Sequence, residues 1–237
     1  MPNWVYQSLT VEGNPESVLE LKKQLNTPFT KESENWDMET NSMQVKEYTY
    51  SNPVFAFWNV IRPIDMEEYA KQPKRSDLDV SDPNWWADTQ KVSSTDDSWY
   101  NWNNRNWGTK WDIAVSDDEE YPDTELLDEG ANGENYVLVY KFQTAWSPAF
   151  PVMEKLSAQY PDLLLTLNYQ EETGWGGEAE FLRGELISDA DYNWECSECG
   201  YQETGEPPFC EDCEYDVCPS CGYNEADEPC AEHKDEE

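Results

Sequence analysis

Positive charge is scarce in this sequence. Only 15 Lys and Arg residues oppose 51 Asp and Glu residues, and the formal net charge is −36 over 237 residues. A surface this negative repels the phosphates of nucleic acids and of anionic lipids. We therefore expect neither direct nucleic-acid binding nor membrane binding, and we expect basic proteins and metal cations as partners.

Long apolar runs and familiar catalytic motifs are also missing. No run is long enough to span a bilayer, and MPNWVYQ at the start lacks the basic and apolar regions of a secretory signal. We therefore expect a cytoplasmic protein. The sequence contains no GxGxxG, GxxxxGK[ST], GxSxG or HExxH motif. Because all 7 Cys and the single His follow residue 195, the usual nucleophile–base pairs are missing, and we expect a protein that is not an enzyme.

The stretch from Tyr136 to Glu172 has the pattern of a strand, a helix and a second strand. YVLVYKF and LLLTLNY are short runs rich in apolar and β-branched residues, as buried strands require. Between them Val152, Leu156 and Tyr160 recur at helical spacing after Pro148, which suits a first helical turn. A helix between two strands is a crossover, so the two strands can lie parallel in one sheet.

The rest of the chain extends this pattern toward a recognisable topology. A strand at 3–13 precedes the amphipathic helix ESVLELKKQL, and further strands are predicted at 43–50, 53–63 and 109–116. A closing strand follows ETGWGG. The order predicts an α+β protein, a ferredoxin-like split β-α-β sandwich over residues 1–190 with long acidic loop insertions.

The last part of the chain, residues 191–237, carries a metal-binding pattern. Four ligand pairs occur there, each with two intervening residues, so that both side chains of a tight turn can contact one ion. The ligands are Cys196, Cys199, Cys210, Cys213, Cys218, Cys221, Cys230 and His233. Eight ligands make two tetrahedral zinc sites of the closed, structural kind, so we predict a C-terminal two-zinc module of the double zinc-ribbon or knuckle type.

The pairing of these ligands stays open at this point. CSECGYQETGEPPFCEDC resembles CPSCGYNEADEPCAEH, and this duplication favours sequential sites, while a cross-braced arrangement is the alternative. A disulfide framework conflicts with the odd cysteine count and the expected compartment. An iron–sulfur cluster is a weaker alternative because eight ligands divide naturally into two zinc sites.

Four segments resemble a known family. MPNWVYQSLTVEG, WYNWNNRNWGTKWD, FQTAWSPAFP and YQEETGWGG, together spanning roughly residues 1–187, are similar to the YubB-like ferredoxin-like family of bacteriophages and conjugative plasmids. The resemblance implies an accessory protein of a mobile element with a ferredoxin-like fold and no established activity. The cysteine-rich tail lies outside it.

The family-like segments also suggest a candidate ligand pocket. Its predicted members are Lys110, Asp112, Thr144, Trp146 and Glu171. A lysine and two carboxylates beside tryptophan can hold a small ligand or transfer protons. In the alternative interpretation these residues stabilise the fold, with the tryptophans in the core and Lys110 paired with a carboxylate.

The predicted function follows from charge and context. We expect a non-enzymatic, strongly acidic accessory protein that binds a basic host protein, either as a general acidic interaction protein or as a DNA mimic in counter-defence. The alternative is an enzyme or small-ligand-binding protein that uses Lys110, Asp112 and Glu171. The sequence does not predict the oligomeric state.

Overall fold

The computed structural model describes residues 3–71, 97–119 and 124–195, and three short strands beyond them; side chains are described as far as residue 190. The strands are β1 (Trp4–Gly13), β2 (Phe29–Asp37), β3 (Ser42–Tyr50), β4 (Glu125–Asn132), β5 (Asn135–Ala145), β6 (Leu164–Glu171), β7 (Gly176–Leu182), β8 (Glu185–Glu195), β9 (Gln202–Thr204), β10 (Phe209–Cys210) and β11 (Tyr215–Asp216). The helices are α1 (Pro15–Leu25), α2 (Met66–Ala70), α3 (Trp99–Asn106) and α4 (Phe150–Gln159). None of these helices is long and apolar enough to cross a bilayer.

Seven of the strands form one antiparallel sheet in the order β4-β5-β1-β6-β7-β8-β9. β1 pairs with both β5 and β6, so those two strands run parallel to each other on either side of it. Helix α4 connects them, which confirms the predicted crossover. The order β4-β5-β1-β6, with α1 following β1 and α4 following β5, is the ferredoxin-like topology, and it confirms the predicted mixed α+β class.

Strict alternation separates the two faces of this sheet. Leu9, Leu138, Phe142, Leu167 and Phe181 are fully buried on one face. Helix α1 packs against β1 and β5, and helix α4 packs against β6, β7 and β8. The intervening residues, Ser8, Thr10, Asn168 and Glu178 among them, are partly exposed on the other face. This period of two is what made the strands readable from the sequence.

The segment between α1 and β4, hereafter the insertion (residues 26–124), differs most from prediction. The predicted loop with a strand at 43–50 is a full hairpin of β2 and β3, paired from Phe29↔Tyr50 to Asp37↔Ser42. The predicted strand at 53–63 is wrong, because the structure has a 3₁₀ helix at Phe57–Asn59 within an irregular segment.

The structure differs from prediction at two further places in the same region. Residues 109–116 form no strand, since the Asp112 side chain accepts hydrogen bonds from backbone N–H groups instead of leaving them for a ladder. The strand β4 lies in an acidic stretch for which no strand was predicted, because its glutamates and aspartates conceal the alternation.

Aromatic packing attaches the insertion to the sheet. Phe55 meets Tyr140 and Phe142 at ring-centroid distances of 5.4 and 5.5 Å. Phe57 meets Phe142 edge to face at 6.0 Å. The fully buried Trp107 donates its indole N–H to the Ile61 carbonyl at 3.1 Å. The insertion therefore shares the sheet's core.

Candidate functional site

A cavity of about 390 Å³ lies between the β2–β3 hairpin and the sheet end where β1 begins and β5 ends. The hairpin, helices α2 and α3, the segment 111–119 and the sheet all contribute to its wall. Its aromatic residues are Trp4, Tyr48, Tyr50, Tyr69, Trp99 and Trp111. The size and the mixture of rings with a few polar groups are typical of small-molecule sites.

Alternation along the hairpin aims one set of side chains at this cavity. Lys31, Ser33 and Asn35 of β2 line it, together with Tyr48 and Tyr50 of β3. These residues belong to one face of the hairpin, because successive side chains of a strand point to opposite sides. Glu32, which belongs to the other face, also borders the cavity.

Two stacked contacts fix the base of the hairpin above the cavity. Phe29 stacks on Tyr50 with ring centroids 4.3 Å apart and on Trp58 at 5.8 Å. Offset aromatic pairs add stabilisation beyond the area they bury. The hairpin therefore has a defined position where Lys31 enters the cavity.

Lys31 places a cation beside these rings. Its Nζ lies 5.0 Å from the Tyr50 ring centroid and 5.9 Å from that of Trp58. Among the residues that the structure describes it forms no ion pair. Burial lowers the pKa of Lys31, and the charges of Asp112 and Glu119 partly oppose that shift.

The cavity tyrosines differ in how their hydroxyls are used. The Tyr69 hydroxyl donates to Asn103 Oδ1 at 3.0 Å. The Tyr50 hydroxyl makes no hydrogen bond to any other described residue, although Tyr50 is only 4% exposed. Burial raises the pKa of both phenols above its ordinary value, so both are neutral hydrogen-bond donors at physiological pH.

Asp112 lines the cavity, but its oxygens serve the backbone. Oδ1 accepts from the N–H of Phe57 at 2.8 Å and from that of Ala114 at 3.1 Å, and Oδ2 accepts from Trp58 N–H at 3.0 Å. A carboxylate at the first residues of the 3₁₀ helix satisfies donors that have no intrahelical partner. Asp112 thus positions the aromatic segment 55–58.

Thr144 lies near the end of β5, and Trp146 directly follows that strand. Gln7 donates to Thr144 Oγ1, and the Thr144 hydroxyl donates to the Ser147 carbonyl at 2.7 Å. Trp146 has a left-handed φ of 72° and donates its N–H to the Asn3 carbonyl at 2.9 Å. Thr144 reaches the cavity wall, whereas Trp146 does not line it.

Lys110 lies in a partly exposed box of aromatic rings outside the cavity wall. Its Nζ is 4.1 Å from the Trp111 ring centroid, 5.3 Å from that of Trp146 and 5.8 Å from that of Tyr100. Burial lowers the pKa of Lys110. The described residues give it cation–π contacts in place of the carboxylate partner suggested by the sequence.

Glu171 caps the turn after β6. It accepts hydrogen bonds from the backbone N–H of Thr173 at 2.6 Å and from the Thr173 hydroxyl, and these lower the pKa of Glu171. It does not line the cavity. Of the five predicted pocket residues, the cavity wall therefore includes only Asp112 and Thr144.

The residues that sequence reasoning missed are on the hairpin. Lys31 lies in β2, for which no strand was predicted, whereas Tyr48 and Tyr50 lie in the predicted strand at 43–50 but were not predicted to line a site. A signal was present, since FTKESENWD and SMQVKEYTY alternate around a short turn. Their high polarity hid it, because both faces of this hairpin carry charges.

The predicted metal ligands lie outside the described residues, with the exception of the Cys210 backbone. Phe209–Cys210 of β10 pairs antiparallel with Tyr215–Asp216 of β11. Within the ranges given above, no three His, Cys, Asp or Glu side chains are grouped to hold a metal ion. The two-zinc site remains a prediction.

Comparison with known proteins adds a family description. Residues 110–208 match the family model described as "Ferredoxin-like domain in Api92-like protein". A solved structure, protein api92 from Yersinia pseudotuberculosis, is similar at 9% identity and a TM-score of 0.41, covering 83% of this chain and 100% of that one. No curated protein matches. The matched segment contains β4 to β9 and α4, while the central strand β1 precedes it.

Proposed function

We propose that this protein is a non-catalytic acidic protein that docks a basic partner protein on the outer face of its hairpin. This outer hairpin face consists of Glu32 and Trp36 of β2 and Met43, Val45 and Glu47 of β3, which share one side of the hairpin. Glu32 also borders the cavity, and the other four residues do not line it. The observation that carries the proposal is the combination of paired glutamates with exposed apolar side chains on one short surface.

The two glutamates create a local demand for positive charge. Glu32 lies directly opposite Glu47 in the hairpin register, and both are exposed. Neither forms an ion pair with another residue in the described ranges. Like charges directly across a ladder are destabilising, so a cationic side chain placed between them relieves that repulsion.

The apolar side chains supply contact area beside these charges. Trp36 is 55% exposed, Val45 is 60% exposed, and Met43 lies opposite Trp36 in the register. Exposed tryptophan is enriched among residues that dominate binding energy, and an apolar patch bordered by charge is typical of interaction surfaces. A basic partner with an apolar anchor fits both features.

The overall charge supports the same class of partner. A net charge of −36 attracts cationic proteins over distance and accelerates their association, and it disfavours acidic competitors. Long-range attraction is not specific to one surface, so the decisive test must hold net charge constant.

Two charge-matched variants provide that test. Glu32→Lys/Glu47→Lys reverses the hairpin pair, and Glu178→Lys/Glu180→Lys reverses two glutamates on β7; each changes the formal net charge from −36 to −32, because every substitution adds two units. Titration calorimetry with a cationic amphipathic Lys/Leu peptide should show affinity about tenfold weaker for the hairpin variant and nearly unchanged for the β7 variant. Equal weakening in both would contradict hairpin docking.

DNA mimicry is a second candidate function, for which two carboxylates on the sheet argue. Glu178 and Glu180 lie two residues apart on one face of β7, so their side chains repeat about every 7 Å along the strand. In this form the protein occupies the basic groove of a DNA-binding host protein, as a counter-defence role in a phage or plasmid requires. A selective loss with Glu178→Lys/Glu180→Lys supports it and argues against hairpin docking.

The cysteine-rich tail adds a proposed zinc module. Seven cysteines and one histidine in two-residue spacing are the soft donor set that zinc prefers, and metal binding would provide most of the folding energy of so short a segment. Purified protein should contain two zinc ions per chain, and Cys199→Ser with Cys221→Ser should lower that content. Unchanged zinc in the double variant, or thiols oxidised to disulfides, would refute the module.

A further inference from the structure

The cavity under the hairpin contains two hydrogen-bond donors that the described protein does not satisfy. Lys31 Nζ lies 5.0 Å from the Tyr50 ring centroid, and neither the ammonium nor the Tyr50 hydroxyl has an acceptor among the described residues. Both groups line the same cavity of about 390 Å³. Neither atom belongs to the fully buried polar atoms that lack a partner, so both are open to the cavity, where they can donate to an oxygen ligand from outside.

Part of the acceptors of the cavity wall are engaged, and its other carboxylates, those of Glu32 and Glu119, belong to exposed residues. Three backbone N–H groups occupy the Asp112 carboxylate, and the Asn103 side chain accepts from Tyr69 and donates to the Lys110 carbonyl at 2.8 Å. Glu119, which is exposed, accepts from the Ser116 hydroxyl at 3.0 Å. Lys31 is the one cation among the described lining residues, so it is the group of the wall that an anionic ligand would contact.

The remaining wall suits a flat ring. Trp4 and Trp111 stack at 5.9 Å with an interplanar angle of 27°, and Tyr48, Tyr69 and Trp99 complete the aromatic lining. Aromatic walls bury a planar molecule by stacked and edge-on contacts with little selectivity for its ring substituents. The positions of the two donors, Lys31 and Tyr50, then determine where the polar end of such a molecule lies.

We propose that this cavity binds a small planar aromatic molecule with one carboxylate, which Lys31 and Tyr50 hold. The carboxylate accepts from the ammonium and from the phenol, and the ring lies against the tryptophans and tyrosines. Binding supplies Lys31 with a counter-ion and thereby opposes the effect of burial on its pKa. This inference does not depend on partner docking, since Glu32 is the one residue of the outer hairpin face that also borders the cavity and the Lys31 variant below leaves it unchanged.

A ligand series with one ring and three charges tests the chemistry. Indole-3-acetate, indole-3-acetamide and tryptamine present the same ring with an anionic, a neutral and a cationic end. Titration calorimetry should rank the acetate tightest and the amine weakest. Tightest binding by tryptamine would show that Asp112 and Glu119 govern the cavity, and absence of binding by all three would equally overturn the proposal.

A matched pair of lysine variants tests the assigned donor. Lys31→Met should weaken indole-3-acetate binding about tenfold, because hydrogen bonds to charged groups are worth that much or more. Lys46→Met is the control, since Lys46 also lies over a tyrosine of this hairpin, 4.6 Å from the Tyr48 centroid, but does not line the cavity. With near-UV circular dichroism unchanged, equal affinities of the two variants would contradict the assignment.

Discussion

The sheet and the insertion are stabilised by different means. In the sheet, buried side chains recur at every second residue, as with Val5, Gln7, Leu9 and Val11 of β1, and no single contact sets the fold. In the insertion, a few contacts fix the path of the backbone. They are the hydrogen bonds from three backbone N–H groups to the Asp112 carboxylate and the packing of the rings of segment 55–58 against the sheet. The sheet thus provides a scaffold, while the insertion carries both the cavity and the outer hairpin face.

The most damaging change should be the loss of the Asp112 carboxylate from the insertion. Asp112 is only 6% exposed, so Asp112→Ala leaves three buried backbone N–H donors without an acceptor. We expect a loss of about 3 kcal/mol in the free energy of unfolding, measured in urea by tryptophan fluorescence. Asp112→Asn, which keeps acceptor oxygen, should lose less; a loss below about 1 kcal/mol in the alanine variant would contradict the capping role.

The second-largest loss in the free energy of unfolding should come from a steric clash in the sheet. A Cβ at residue 177 would meet the Ala190 carbonyl oxygen at 2.6 Å, so Gly177→Ala forces β7 and β8 apart. We expect a loss of about 2 kcal/mol in urea unfolding. Gly130→Ala is the control because nothing lies within 4 Å of its Cβ, and similar losses at both positions would refute the steric explanation.

A smaller and opposite effect is expected at Tyr140. Its hydroxyl is buried in the sheet core without a hydrogen-bond partner among the described residues. Tyr140→Phe removes this group and should raise the free energy of unfolding by about 1 kcal/mol. A destabilised variant would show that the hydroxyl has an acceptor beyond those residues.

The smallest effect concerns Lys31 and depends on pH. Burial lowers the pKa of Lys31 in the folded protein, so the unfolded chain binds more protons and the wild type gains stability as pH rises toward 10.5. Facing groups Asp112 and Glu119 reduce this effect. Lys31→Met should therefore be more stable than the wild type at neutral pH, and the difference in melting temperature should shrink as pH rises. A constant difference would contradict the linkage.

Sequence patterns predicted the sheet and failed in the insertion for a physical reason. The crossover through α4 and the ferredoxin-like order depend on periodic apolar residues, which are local signals. The 3₁₀ helix at Phe57–Asn59 depends on Asp112, which lies more than fifty residues away along the chain. No local pattern in PVFAFWNVIRP distinguishes that arrangement from a buried strand.

The candidate site shows the same limit. Lys110 and Glu171 were grouped with Asp112 because they lie in family-like segments, yet the structure gives them separate local roles in an aromatic box and a turn. Lys31 was not predicted as a site residue because its place in the cavity beside the Tyr50 ring is set by the pairing of β2 with β3, which brings together residues far apart in the sequence. Charge composition predicts a class of partner, which stays a prediction, and it does not locate a surface.

The location of the docking surface is the claim on which the proposed function depends. A nitrogen-15 correlation spectrum of the full chain, recorded during titration with the cationic amphipathic peptide, measures it residue by residue. We expect the largest shift changes at Trp36, Met43, Val45 and Glu47, with small changes at Ser8, Thr10 and Asn168 on the sheet. Large changes on the sheet face, with the hairpin unaffected, would contradict the account.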